Sequence, residues 1–348
     1  MATSTPLTTA PLATVAVNIN QSITCDVFIY QEVAHIIFPI FYTIVFFISL
    51  LGNSLVLLIT CQRQQKVNAT SIYLMNLAVS DALFTLALPG RITYYVRKFD
   101  WPFGDVLCRV TAVLFYSNTY AGIAFMTCIS LDRYLAMVHP HRAQGLRKVQ
   151  TARRVSCLVW TIVILETAPF LFRTMVQESQ GRRTCMEYFN LQASPALPYA
   201  LLAACTVGFG FPLGLILFCY TRIRLKLSRS SNPVVERSGR SGRAKSIILV
   251  ILATFLVCFS PYHITIMQFM VRNLLAEPTC DDLKGFKMAL QVTVSLMNLN
   301  CCLDPLIYFF AIKTYKRRVV SFFKLRLSTT GAVTTNTKSL QENSSSNT

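Results

Sequence analysis

The chain has 348 residues, of which 53% are hydrophobic and 14% are charged. An average soluble domain carries about 25% charged residues, so the composition excludes an ordinary soluble enzyme and indicates a membrane protein. Lys and Arg number 33 against 15 Asp and Glu, a net charge of +18, and in a membrane protein this excess first reports topology, because a bilayer sorts basic residues to one side.

Seven apolar runs follow one another along the chain. Each is about as long as the 20 residues that a helix needs to cross a bilayer, and none alternates as a barrel strand does, so we predict helices. Their approximate bounds are Ala34–Thr60, Ser71–Gly90, Val110–Leu131, Val155–Phe172, Pro195–Thr221, Ser246–Val271 and Met288–Ile312. The sequence therefore predicts an all-α membrane protein, a seven-transmembrane helix bundle over residues 33–312.

Basic residues cluster between the third and fourth runs, between the fifth and sixth, and after the seventh. The positive-inside rule makes these segments cytoplasmic and the N-terminus extracellular. Residues 1–32 are then an outer tail with a glycosylation sequon at Asn20. We predict a short amphipathic eighth helix over residues 313–327 and a disordered cytoplasmic tail over residues 328–348. The basic surfaces favour membrane lipid, and nucleic acid is not expected as a partner.

Four of the 12 cysteines lie outside in this topology: Cys25, Cys108, Cys185 and Cys280. That side of the membrane is oxidising, so disulfides are expected, and spacing alone allows three pairings.

Polar and proline motifs occur within the runs in a fixed order. They are Gly52-Asn53, the segment Asn76–Asp81, Asp132-Arg133-Tyr134, Trp160, Pro212 with Tyr220, Cys258–Pro261 and Asp304–Tyr308. Together these motifs resemble the rhodopsin-like family of G-protein-coupled receptors. One such motif is weak evidence, but the whole series on the right helices is very specific.

Two departures indicate a branch of that family. Phe259 stands where most members have Trp, and Asp304 stands where most have Asn. Both resemble the branch that holds purinergic nucleotide receptors and several lipid receptors. Within it, five segments resemble the oxysterol-sensing chemotactic receptors of immune cells: Leu88–Tyr95, Phe99–Trp101, Phe115–Gly122, Thr184–Tyr188 and Asn298–Pro305.

The resemblance implies an activation switch at the inner ends of the helices. The resting receptor would keep Arg133 paired with Asp132, and activation would free Arg133 for a G protein. Tyr220 and Tyr308 would rearrange toward it, and Pro261 would kink the sixth helix below the ligand, with Phe259 near the kink. The same family pattern includes Tyr134 beside Arg133. The alternative for Arg133 is simple snorkelling to the interface.

The resemblance also implies a regulatory sodium ion among Asp81, Asn118, Asn300 and Asp304. Carboxylates within a membrane are functional candidates by default, and oxygen-rich ligands suit a hard cation. A proton shared between the two acids is the alternative. No other cofactor and no catalytic metal is expected. For the outer cysteines, the resemblance implies the pairs Cys108–Cys185 and Cys25–Cys280.

The ligand would bind in the outer half of the bundle. Tyr116 and Tyr120 share a face of the third helix, about 12 and 18 Å below Cys108, and Arg91 is a buried cation that needs a partner. By resemblance, Arg91, Tyr116, Tyr120 and Tyr262 would hydrogen-bond the hydroxyls of an oxysterol, with Glu187 contributing from the second outer loop. Each Tyr could instead be a packed core ring.

The resemblance predicts a plasma-membrane receptor, not an enzyme, that couples to inhibitory G proteins and directs immune-cell migration. Arrestin would bind tail phosphates on Ser328, Thr329, Thr330, Thr334, Thr335, Thr337, Ser339 and Ser344–Ser346. Another lipid ranks second as ligand. A nucleotide ranks third, because Val294 stands where many nucleotide receptors have a basic residue, which leaves mainly Arg91 to meet phosphates. From other classes, a secondary transporter or an intramembrane aspartyl enzyme is the alternative.

Overall fold

The structure is a computed structural model that describes residues 25, 28–61, 67–179, 181–186, 197–228, 240–276, 278–312 and 314–321. Seven helices are long and apolar enough to cross a membrane, which confirms the predicted bundle. They are α1 (Gln31–Cys61), α2 (Ala69–Val96), α3 (Gly104–Val138), α4 (Val149–Leu171), α5 (Pro198–Ser228), α6 (Lys245–Leu275) and α7 (Cys280–Ala311). A short helix, α8, covers residues 314–321, within the predicted eighth helix.

The helices are longer than the predicted apolar runs, because their first and last turns contain polar residues. The largest difference is in α7, which begins at Cys280 instead of Met288. Thr279 caps it by accepting from the Asp282 backbone N–H at 3.2 Å, while the Asp282 carboxylate accepts from the Thr279 backbone N–H at 3.2 Å. This capping box satisfies the first amides of the helix, so α7 starts in a polar segment that a search for apolar residues overlooks.

Proline interrupts four of the seven helices. α2 has two segments, Ala69–Thr85 and Leu88–Val96, and Pro89 stands at the start of the second. In α5 and α6 a wide π-helical turn precedes the proline, at Thr206–Gly210 before Pro212 and at Phe255–Phe259 before Pro261. A proline lacks the N–H that closes a helical turn and its ring presses on the carbonyl four residues earlier, so the backbone widens or bends there.

In α7 the bend is stabilised by α1. The segments Cys280–Asn298 and Asn300–Ala311 meet at Leu299. Since Pro305 donates no backbone hydrogen bond, the carbonyl of Cys301 accepts instead from Asn53 Nδ2 at 3.0 Å. The preceding residue, Gly52, packs directly on the Pro305 ring: a Cβ at Gly52 would lie 2.5 Å from Pro305 Cγ.

α3 is the central helix, because it packs against α2, α4, α5 and α6. Outside the membrane, a hairpin of β1 (Val176–Ser179) and β2 (Arg182–Cys185) pairs antiparallel. The Trp101 backbone N–H donates to the Arg183 carbonyl at 2.7 Å, which joins the hairpin to the loop between α2 and α3. The hairpin therefore covers part of the outer end of the bundle.

The Gly52–Pro305 contact yields a stability prediction. Gly52→Ala should lower the melting temperature of the purified protein, because the new methyl group cannot fit without moving α1 from α7. Gly214→Ala in α5 is the matched control, since nothing lies within 4 Å of a Cβ there and Ala is the better helix former. Thermal unfolding in detergent measures both, and equal melting temperatures would contradict the packing argument.

Candidate functional site

The buried polar residues of the outer half lie around Arg91, in the second segment of α2. Its side chain is 7% exposed. Nη2 donates to Tyr95 Oη at 3.0 Å, and Tyr95 Oη donates to Gln291 Oε1 of α7 at 2.7 Å. The guanidinium also lies 5.7 and 5.3 Å from the ring centroids of Tyr94 and Tyr95, distances at which a cation is attracted by the ring face. Arg91 is thus fixed between α2 and α7.

The predicted tyrosines of α3 and α6 occupy the centre of the same half. A Cβ at Gly208 would lie 2.9 Å from Tyr120 Cε1, so the missing side chain in the π turn of α5 is what lets the Tyr120 ring approach. Tyr262 meets His263 edge to face at 5.1 Å, and Tyr120 meets the same His263 ring at 6.4 Å. The structure therefore brings Tyr120 and Tyr262 together around His263.

Tyr116 lies toward α4, where its ring stacks on Phe170 at 4.7 Å. Glu187 lies outside the described residues, as do the sequon at Asn20 and the tail hydroxyls proposed for phosphorylation.

Three polar residues of this half were missed by the sequence analysis. His263 is fully buried, and its Nδ1 lies 2.8 Å from the Phe259 carbonyl. Nδ1 must be the donor there, which leaves Nε2 as an acceptor with no hydrogen-bond partner among the described residues. Gln291 and Lys287 share a face of α7, four residues apart, and are 4% and 1% exposed. The early start of α7 accounts for Lys287, because the predicted run began at Met288, whereas Gln291 lies within that run and was not singled out.

Below this half lies the cluster proposed for sodium. Asn118 Nδ2 donates to Asp81 Oδ1 at 2.9 Å. Asp81 and Asp304 are both fully buried. Asp81 Oδ2, both oxygens of Asp304 and the Asn300 side-chain nitrogen find no partner among the described residues. Unpaired carboxylate oxygens in a buried site fit a hard cation, which would supply the missing positive charge.

Gly122 lies between this cluster and the kink of α6. A Cβ there would lie 3.5 Å from Asn300 Nδ2 and 3.8 Å from Phe259 Cζ. Phe259, fully buried in the π turn before Pro261, therefore lies close to the sodium cluster. Tyr308, at the inner side, donates to Asn53 Oδ1 at 3.2 Å, so it belongs to the network that supports the bend of α7.

The cytoplasmic motif has the predicted ion pair and two further partners. Arg133 lies 3.8 Å from Asp132 Oδ2, whereas Arg147, at the end of the second inner loop, meets Asp132 Oδ1 at 2.9 Å. Thr70 of α2 donates to Asp132 Oδ2 at 2.5 Å and also accepts a short hydrogen bond from Arg133. The predicted Asp132–Arg133 pair is present, but Thr70 and Arg147 make the closer contacts.

Tyr134, the last residue of this motif, and Tyr220 of α5 have partners other than Arg133. Tyr134 Oη lies 3.1 Å from His139 Nε2 in the second inner loop. Tyr220 lies under the Arg224 guanidinium at 5.8 Å. Arg133 is thus linked to both Thr70 and Asp132 at the inner end of the bundle.

Both disulfides implied by the resemblance are present. Cys108 at the outer end of α3 joins Cys185 of β2, and Cys25 of the N-terminal segment joins Cys280 at the start of α7. The other eight cysteines are free thiols. The first bridge ties the hairpin over the bundle, and the second ties the N-terminal segment to it.

Comparison with known proteins finds a matching family model and several similar proteins. The family model described as 7 transmembrane receptor (rhodopsin family) matches residues 52–308. The chain is 46% identical to G-protein coupled receptor 183 of Rattus norvegicus over 308 residues, which cover 87% of this chain and 86% of that protein. It is 45% identical to the Homo sapiens protein of the same name over 308 residues, 87% and 85% of the two chains.

The name of a more distant relative includes that of its ligand. The chain is 34% identical to cysteinyl leukotriene receptor 1 of Mus musculus over 317 residues, which cover 90% of this chain and 88% of that protein.

The bridge at the outer end of α3 can be tested by substitution. Cys108→Ser should strongly reduce the amount of protein at the cell surface, because removing a native disulfide typically costs about 2–5 kcal/mol. Cys61→Ser is the control, since Cys61 is a free and exposed thiol. Surface labelling of intact cells measures the loss, and normal surface levels of the Cys108 variant would show that the bridge is dispensable.

Proposed function

Because the chain belongs to the rhodopsin family of seven-transmembrane receptors, we propose that a hydroxylated sterol activates it and that it signals through inhibitory G proteins to direct immune-cell migration. Membership of this family makes it a multi-pass receptor of the plasma membrane, with a ligand and a G protein as partners, rather than an enzyme. The proposal goes beyond this membership in four respects: that the ligand is a sterol, that the G protein is of the inhibitory class, that arrestin is recruited, and that the receptor directs immune-cell migration.

The observation that supports the sterol is the buried Arg91 beside the rings of Tyr94 and Tyr95, in an outer half that has few other buried charged groups. A mostly apolar ligand with a few hydroxyl groups matches such a pocket, since apolar walls bind its body and a few polar groups orient it. A sterol hydroxyl would accept from Arg91, and a second one would donate to the buried Nε2 of His263, between Tyr120 and Tyr262. The resemblance of Leu88–Tyr95 and Phe115–Gly122 to oxysterol receptors supports the same choice.

Lys287 favours a second candidate, a lipid with an acidic group. It is a second buried cation, one turn above Gln291 on α7, whereas the sequence analysis counted mainly Arg91. Two cations could receive a carboxylate, and a leukotriene, the ligand in the name of the mouse relative, is an acidic lipid. A nucleotide remains third, because several ionised phosphates need more positive charge than two side chains provide.

In the proposed mechanism, the ligand changes the packing above Phe259 and thereby the bend of α6. Phe259 lies in the π turn beside Gly122, where a small displacement moves the whole inner half of α6. Outward movement of that half opens the inner end, and Arg133 then leaves Thr70 and Asp132 for the G protein. The ligand acts only through contacts that differ between the closed and open forms. Sodium, held by Asp81 with Asn118 and Asp304, would favour the closed form.

Arg91→Ala tests the ligand site. We expect the half-maximal concentration of a dihydroxycholesterol to rise about 10- to 100-fold, since a hydrogen bond to a charged group contributes about 1.5–3 kcal/mol. Arg97→Ala, nearly two turns further out and exposed, is the control. G-protein dissociation in cells, normalised to surface expression, measures both, and an unchanged response of the Arg91 variant would remove it from the site.

Asp81→Asn tests the ion. The melting temperature of the wild-type receptor should be higher in sodium chloride than in choline chloride of equal ionic strength, because an ion that binds only the folded form stabilises it. The variant should lose this difference, whereas Asp281→Asn, at an exposed acid, should keep it. A sodium effect that persists in the Asp81 variant would place the ion elsewhere.

A further inference from the structure

A groove separates the outer halves of α1 and α7. It encloses about 370 Å³ and has eleven lining residues, which include Ile37 and Phe38 of α1 and Met288, Gln291 and Val292 of α7. The α1 part of the lining runs from Val33 to Phe41, about 12 Å along the helix, which places the groove in the outer leaflet.

The mouth of the groove faces the hydrocarbon of the bilayer. Val33, Ile37, Met288 and Val292 are 60%, 55%, 53% and 49% exposed on the protein surface. Exposed apolar side chains in the outer halves of membrane-spanning helices contact lipid, so a molecule dissolved in the outer leaflet can enter without passing through water.

The lining defines the chemistry of the occupant. None of the eleven residues carries a charge, and the polar groups among them are those of Tyr30, Gln291 and Ser295. An ionised head group would lose its hydration without a compensating partner, which disfavours phospholipids, lysolipids and fatty acids. The volume is at the lower end for a small-molecule site, too small for two acyl chains, and suits one rigid neutral body with a hydroxyl group.

The inner wall of the groove is shared with the residues that fix Arg91. Gln291 accepts the hydrogen bond from Tyr95, and Tyr95 accepts the one from Arg91. Phe38, on the α1 side, lies against the Tyr95 ring at 4.9 Å. A molecule in the groove therefore contacts two of the side chains that hold Tyr95, which in turn positions the Arg91 guanidinium.

We propose that this groove is a second lipid site, which binds a neutral sterol from the outer leaflet and tunes the ligand site through Gln291, Tyr95 and Arg91. Binding in the groove is independent of the proposed agonist, whereas the effect on Arg91 rests on the proposed function. The two parts have separate readouts.

The binding part is tested by photolabelling. Full-length receptor in phosphatidylcholine nanodiscs is irradiated with a cholesterol analogue that carries a diazirine, and labelled peptides are identified by mass spectrometry. We expect label on the outer halves of α1 and α7, and competition by unlabelled cholesterol but not by lysophosphatidylcholine. Label confined to other helices, or equal competition by the lysolipid or by a monoacylglycerol, would overturn the sterol assignment.

Groove-filling variants provide the controls. Ile37→Trp and, independently, Val292→Trp should reduce the labelling of these peptides about tenfold, a change equivalent to about 1.4 kcal/mol of binding. Ile44→Trp is matched, because Ile44 lies two turns deeper on the same face of α1 and is also 55% exposed, yet is outside the groove. Melting temperatures verify that all three variants fold, and labelling that survives both groove variants would refute the site.

The coupling part is tested with the same variants. Ile37→Trp should shift the half-maximal concentration of a dihydroxycholesterol at least threefold, roughly 0.65 kcal/mol, and Ile44→Trp should not. If labelling is lost but the receptor never responds to dihydroxycholesterols, the groove site stands and the proposed agonist is wrong. If the response exists but is unchanged in both groove variants, the coupling is wrong.

Discussion

The bend of α7 is the constraint on which the polar interior depends. Pro305 leaves the Cys301 carbonyl without its helical donor, and within a membrane no water replaces it. Asn53 supplies that donor and accepts from Tyr308, while Gly52 lets α1 approach closely enough to do so. One asparagine thus joins α1 to two points of the second segment of α7, the segment that also carries Asn300 and Asp304.

From this bend, buried polar contacts extend in both directions. Toward the outside, Asn300 and Phe259 both lie next to Gly122, so the cluster proposed for sodium and the kink of α6 are neighbours. Toward the inside, Arg133 is linked through Thr70 to the Asp132–Arg147 pair. Prolines interrupt four of the helices that connect the outer and inner ends, and the proposed mechanism acts by changing these bends.

The sequence predicts the bundle well, because a bilayer requires long apolar helices and the motifs fix their order. It predicts less about residues that are buried although they are polar. Lys287 and Gln291 are buried although polar, in a part of α7 that begins at a capping box rather than at an apolar run. Arg147 is a similar case, since its contact with Asp132 depends on how the second inner loop folds back, which spacing along the chain does not encode.

The Cys25–Cys280 bridge closes a covalent ring that contains all of the first six membrane-spanning helices. A protease that cuts once in any loop between these cysteines opens the ring but releases nothing, because the two pieces stay joined through sulfur. Nicked molecules therefore travel as one chain on a non-reducing gel and separate only after reduction. A receptor cleaved at the cell surface can keep all seven helices assembled, so the loss of an intact polypeptide and the loss of a working bundle are distinct events.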